Sequence, residues 1–242
     1  TPMTLAPSST RFEDPGIAAL FEGDSRWQSW LDVEAALALS QADIGMIPQA
    51  AADEIVAHAK LELLDRDAID DGLARTGHPL VPLVWELARV CGEPTGGFVH
   101  WGATTQNILE TGDSLLLRRA HNTMLGQFSR LLTALANLAI RSADMPAAGR
   151  THGQHAVPIT FGYKVAVWID ELIRHVERLR GLEGRVFIAM AGGAAGTFAS
   201  FGADGPRLQD VLAERLGLCP TPVPSRTHRD REAEYVTTLG LF

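Results

Sequence analysis

Along most of this chain, apolar side chains return every three or four residues. Leu117, Met124, Phe128, Leu131, Leu135 and Leu138 follow one another at spacings of seven, four, three, four and three. A second series, Val165, Ile169, Leu172, Val176 and Leu179, alternates four and three. Such spacing draws one apolar seam along a helix, and two long helices of this kind predict a bundle with coiled-coil-like packing. Met145-Pro146 supplies a stop after the first and Gly192-Gly193 after the second. Proline lacks the amide hydrogen that a helix needs, and glycine adopts the conformations in which helices end. The second long helix is expected to begin near Val157-Pro158, where a proline fits a first turn.

The first hundred residues carry the same period in shorter pieces. Helices are expected at Trp27 to Ala42, Ala50 to Lys60, Asp65 to Ala74 and about Leu80 to Val90. Turn signals at Gly45, Pro48, Gly77 and the Gly92 to Gly97 stretch containing Pro94 separate them. No stretch alternates as a half-buried strand does, and no segment repeats. The expectation is an all-α fold, with a small helical domain at about 1–103 and a long-helix bundle over 104–242. Asp230 to Phe242 reads as a further helix. It ends on Leu239, Leu241 and Phe242 without a polar finish, as though cut within the helix.

Composition narrows the class. With 46% hydrophobic residues over 242 positions the chain can bury a sizeable core, and with 21% charged residues it reads as globular. A formal net charge of -8 argues against a general nucleic-acid binder, which needs a basic face to displace counterions. It leaves room for an anionic substrate, because a few clustered arginines can hold a carboxylate. The two cysteines, Cys91 and Cys219, match no metal or redox spacing and read as free thiols of a reducing cytoplasm. Thr1 to Ser9 does not read as a signal peptide, and no apolar run is long enough for a membrane span.

Three histidine-bearing segments could carry chemistry. They are Gly77-His78-Pro79, the polar stretch Val99-His100-Trp101-Gly102-Ala103-Thr104-Thr105-Gln106-Asn107, and Gly149-Arg150-Thr151-His152-Gly153-Gln154-His155 between the long helices. Each joins a proton carrier to hydroxyl or amide donors beside glycine. Taken alone each is also readable as capping or surface polarity, and Thr104 and Thr105 are natural caps for the long helix. His152 and His155 lack the spacing of a zinc-protease motif, and Glu54–His58 and Glu171–His175 read as solvated helix pairs. No metal and no cofactor is therefore expected. Gly192 to Gly196 lacks the Gly-Lys-Ser/Thr continuation of a nucleotide loop, so it reads as flexible backbone or as a lining for an anionic ligand.

In order and spacing these segments resemble the fumarase/aspartase superfamily, in its adenylosuccinate lyase and carboxymuconate lactonizing branch. Asp24 to Glu34 resembles the first core helix of adenylosuccinate lyases, and Arg11-Phe12 stands where those enzymes carry a substrate contact. Val99 to Asn107 is similar to the first superfamily signature, His-x-Gly-x-Thr-Ser-x-Asp. Gly149 to Phe161 resembles the second and is the most specific match. Thr105, Asn107 and Glu110 replace the usual Ser, Asp and Asp. Thr111-Gly112, Gly192 to Gly196 and His78 to Val84 look more like the lactonizing enzymes.

What the resemblance implies is a homotetramer around a central bundle, with active sites shared between subunits. It implies a small polycarboxylate substrate, an aci-carboxylate intermediate, and either lactonization or release of fumarate from an amine. His152 would be the general acid/base and His100 a second catalytic histidine that orients substrate. Thr104 and Thr105 would hold a carboxylate, with Thr151, Gln154, His78 and Arg11 as further contacts, and the role of His155 stays open. The third signature, a serine-bearing loop that supplies the base, does not occur among these residues. On that ground the chain alone is expected to be inactive, either as part of a longer enzyme or as a helical assembly without the base.

Overall fold

The computed structural model describes residues 13–224 and 227–242; Arg11 lies outside them. In chain order the elements are α1 (Ile17–Leu20), α2 (Gly23–Asp43), α3 (Gln49–His58), α4 (Arg66–Thr76), α5 (Val81–Cys91) and α6 (Thr105–Arg141). There follow strands β1 (Pro146–Thr151) and β2 (Gln154–Thr160), then α7 (Phe161–Val186), β3 (Ile188–Ala189), α8 (Gly205–Leu216), β4 (Cys219–Pro220) and α9 (Asp230–Leu239). Helices form the framework, as the apolar period requires, and the four shorter ones fall where the turn signals put them. Among the described residues no helix is long and apolar enough to cross a membrane.

The chain forms two compact units, Thr1–Ala120 with Phe187–His228, and His121–Val186 with Arg229–Phe242. In the first, α2 packs on α3 and α8, and α4 packs on α5. Leu31, Ile55, Ile69, Leu80, Leu83, Leu87, Leu116, Leu208 and Leu212 are fully buried there. Each such side chain contributes about 1.5–3 kcal/mol relative to exposure. Asp65 starts α4 by accepting the amides of Asp67 and Ala68 at 3.0 and 3.2 Å, as an N-cap should. Gly112 lets α6 lie close to α2, for a Cβ there would stand 2.5 Å from Cδ1 of Trp30. Strands β3 and β4 form a short parallel pair, with Ile188 opposite Cys219.

The second unit holds the rest of α6 together with β1, β2, α7 and α9. Val165 and Leu179, the two ends of the predicted seam, are buried along α7, as are Leu182 and Val186 beyond it, while Ile169, Leu172 and Val176 are half-buried. Two expectations are corrected here. Residues 146–160 are an antiparallel hairpin, with Pro146 opposite Thr160 and Thr151 opposite Gln154, so the chain does contain strands and α7 begins at Phe161. Pro158 therefore sits in a strand. A two-stranded ribbon tolerates it because an edge strand has amides that need no ladder partner. His175 is the second correction. It is only 7% exposed, and its ring meets that of Phe242 edge-on at 4.6 Å between centroids. It lies three residues after Leu172 and four before Leu179, on the apolar face itself.

Candidate active site

The first unit holds two of the three histidine segments. His78 sits just before α5, where its Nδ1 accepts the amides of Leu80 at 3.2 Å and Val81 at 3.4 Å. Backbone amides only donate, so Nδ1 carries the lone pair and the proton of the neutral ring is on Nε2. The ring thus caps a helix while staying half-buried.

His100 is held differently. Its backbone has φ 58, in the left-handed region that histidine enters more readily than most residues. Its carbonyl accepts the Ala103 amide at 3.2 Å, closing a tight turn. Two side chains of α2 grip that turn, two helical turns apart on one face. Glu34 places Oε1 2.6 Å from Nδ1 of His100, and Gln41 donates its amide to the Trp101 carbonyl at 2.7 Å. The side chain of Glu34 is 2% exposed and that of His100 is 17% exposed. Burial of the ring works against its protonation, but the charge of Glu34 and its hydrogen bond outweigh this and raise the His100 pKa above the ordinary histidine value.

The turn leads straight into α6. Thr104 is half-buried, Thr105 is the first helical residue, and among the described residues nothing bonds either hydroxyl. Asn107 explains one departure from the first signature. Its Oδ1 accepts the amides of Thr104 at 3.2 Å and Gly193 at 3.1 Å, which are the bonds an aspartate oxygen would accept. The first ties off the start of α6 in the manner of a capping box. The second anchors the glycine-rich segment to it. The Nδ2 of this buried side chain has no partner among the described residues. The fold therefore needs the oxygen, and no described contact calls for a negative charge.

The third segment belongs to the second unit. Thr151, His152 and Gln154 are exposed on the β1–β2 hairpin. His152 and Gly153 form its two-residue turn with φ 51 and 75, the pair of positive values that a tight right-twisted hairpin demands. Arg150 donates to Nε2 of His155 at 3.2 Å, which ties that histidine to the hairpin itself. His152 has no side-chain partner among the described residues.

The sequence pattern gave no role to Glu34 beyond a place in the first core helix, nor to Gln41. The signal was present, since both ionisable and amide side chains interrupt a face made of Trp30, Leu31, Leu37 and Ala38, all buried.

Known proteins resemble this chain along nearly its whole length. A family model described as "Lyase" matches residues 12–242. The adenylosuccinate lyase of Methanothermobacter thermautotrophicus is 37% identical over 98% of this chain and 53% of its own length. The 3-carboxy-cis,cis-muconate cycloisomerase of Pseudomonas aeruginosa is 41% identical over 92% of this chain and 49% of its own. A crystal structure of fumarate lyase from Mesorhizobium sp. BNC1 superposes with a TM-score of 0.87 at 39% identity, covering 94% of this chain and 54% of that one. The chain thus spans about half the length of the curated relatives it matches. A helical framework, a histidine turn at the head of a 37-residue helix and these matches together make the chain a member of the fumarase/aspartase superfamily.

Proposed function

We propose that the intact protein cyclises or cleaves a small polycarboxylate through an aci-carboxylate intermediate, and that lactonization of a 3-carboxy-cis,cis-muconate-type substrate is its reaction. The turn at residues 99–107 carries this reading. It offers two threonine hydroxyls without partners among the described residues, the positive end of a long helix, and a histidine biased toward its charged form. All three stabilise an anionic oxygen, and developing charge on a carboxylate is the difficult part of such chemistry. Thr104 and Thr105 hold the carboxylate, and His100 and His78 border it. His152 transfers a proton, with Thr151 and Gln154 contacting substrate beside it. In lactonization a carboxylate oxygen adds across the double bond and the resulting aci-carboxylate takes up a proton at carbon. Fumarate release begins instead with removal of that carbon-bound proton. In either direction the group that exchanges it is assigned by resemblance to a segment not among these residues.

The muconate-type reading is favoured by Thr111-Gly112, Gly192 to Gly196 and the His78 to Val84 stretch, and by the 41% identity to the Pseudomonas enzyme. Carbon–nitrogen cleavage releasing fumarate is the second reading, supported by the match to adenylosuccinate lyase along 98% of the chain. Assembly is part of the proposal. Leu131, Ile140, Val157, Val167, Trp168 and Ile173 are exposed in the second unit. Apolar surface of that extent favours burial against other subunits, as in a homotetramer with shared sites. The division into a helical domain ending near residue 103 and a bundle thereafter, read from helix lengths and turn signals, is retained in this reading, as is a cytoplasmic location. Ultraviolet absorbance of the intact protein with a panel of 3-carboxy-cis,cis-muconate, adenylosuccinate and other succinyl adducts tests it. Saturable loss of the muconate band is the expected result. Fumarate release alone selects the second reading, and no turnover of any member rejects both.

A further inference from the structure

Among the histidines, His100 is the one whose ring atoms are assigned by a buried charge. An ionised carboxylate can only accept a hydrogen bond, so the contact of Glu34 Oε1 with Nδ1 at 2.6 Å requires a proton on that nitrogen. The ring then has Nε2 left for exchange, and among the described residues nothing bonds Nε2. We propose that Glu34 is a positioning residue, fixing the proton on Nδ1 of His100 so that Nε2 is the atom this histidine presents to an anionic substrate. The proposal rests on the functional reading above and deepens it by naming the group that orients His100.

Three observations carry it besides the distance. The glutamate is almost wholly buried, a costly state for a carboxylate that has only one described partner. The histidine is held at a positive φ, a strained backbone that persists only when its surroundings fix it. The same face of α2 supplies Gln41, whose bond to the Trp101 carbonyl holds the turn in register with Glu34. The ring nitrogen that a histidine uses is set by the hydrogen bond its other nitrogen makes, and a carboxylate behind the ring also raises its basicity. Among the described residues, Glu34 is the charged group that acts on the ring. Residues 190–201, which lie against Gly102 through Ser200 and Phe201, contain no titratable side chain. His78 makes the contrast, since its Nδ1 is an acceptor and its proton sits on Nε2.

Isotope-labelled histidine in the intact protein, with the His100 signals identified by their loss in His100→Gln, reads both tautomer and titration. The expected wild-type result is a proton on Nδ1 and a midpoint above the ordinary histidine value. Glu34→Gln keeps the size and an acceptor but removes the charge, so the midpoint should fall. Its kcat should drop about 10–100-fold, as for other groups that orient a functional histidine, with KM unchanged. Glu34→Asp keeps the charge, and its midpoint should lie between the two. A wild-type proton on Nε2, a midpoint that does not move in Glu34→Gln, or an unchanged kcat would each overturn the proposal. Should Glu34→Gln fail to fold, the wild-type tautomer decides alone. If the wild-type protein turns over no substrate of the panel, the functional reading fails, while the labelled-histidine spectra still decide whether Glu34 fixes the ring.

Discussion

Each compact unit holds a histidine hydrogen-bonded to a glutamate, and the two pairs come out opposite. In the first unit, His100 is raised toward its charged form by Glu34. In the second, His121 has Nε2 3.1 Å from Glu183 Oε1, yet its pKa is lowered. Burial dominates there, and the bond and charge of Glu183 only partly oppose it. The glutamates account for part of the difference, and the charge of Arg180, which lowers the His121 pKa directly, for another part. The side chain of Glu34 is 2% exposed and faces one histidine, whereas that of Glu183 is 35% exposed and also accepts Arg180 at 2.9 Å. Water and a competing cation weaken the second carboxylate as a partner. A buried histidine's charge is therefore set by how well its partner is shielded and how far it is shared.

The largest test of this contrast removes the shielded carboxylate. Glu34→Leu should cost about 3–5 kcal/mol in denaturant unfolding, because it strands a histidine built around a charge. Asn107→Leu should follow at about 2–3 kcal/mol, since it orphans the buried amide of Gly193 and the half-buried amide of Thr104, whereas Asn107→Asp should stay near wild type. Glu183→Gln in the other pair should cost less than about 1 kcal/mol, the range of solvent-screened pairs.

The pH dependence separates the pairs by sign. A histidine whose folded pKa is raised adds stability that is complete below its unfolded value, about 6.5, and is lost as pH climbs through the folded value. His100 belongs to this class. His121 is the reverse, its contribution being present above the unfolded value and lost as pH falls through the folded one. Thermal unfolding across that range should show Glu34→Gln removing the loss on the alkaline side. His121→Gln should remove the loss on the acid side. The same slope in both variants would contradict the contrast.

Much of this was legible in the sequence, for identifiable reasons. The seams through Leu117–Leu138 and Val165–Leu179 located α6 and α7 because a helix repeats its face every three to four residues. The hairpin was not legible. Its turn is His152-Gly153 rather than the usual Asn-Gly, its strands are interrupted by Gly149 and Pro158, and the apolar Ala156 and Val157 are exposed. His175 was misread because spacing to Glu171 marks a possible ion pair but cannot say which side of the helix it falls on. Here the pair is 3.9 Å apart and the ring packs on Phe242. In the site, loop composition pointed to His78, His100 and the two threonines. Glu34 escaped because it lies 66 residues from its partner, and pairing at that range comes from the tertiary fold alone.

The proposed function turns on proton transfer by His152 during the reaction of a polycarboxylate in the intact protein. Steady-state turnover of 3-carboxy-cis,cis-muconate by wild type and His152→Asn is the decisive measurement. His152 is exposed and has no side-chain partner among the described residues, so its replacement should leave thermal stability unchanged. A positioned acid or base contributes about 10²–10⁴-fold, and kcat should fall by that factor in His152→Asn while the wild type shows saturable turnover. Equal kcat in the two proteins at saturating substrate would contradict the claim and leave the hairpin as a binding element only.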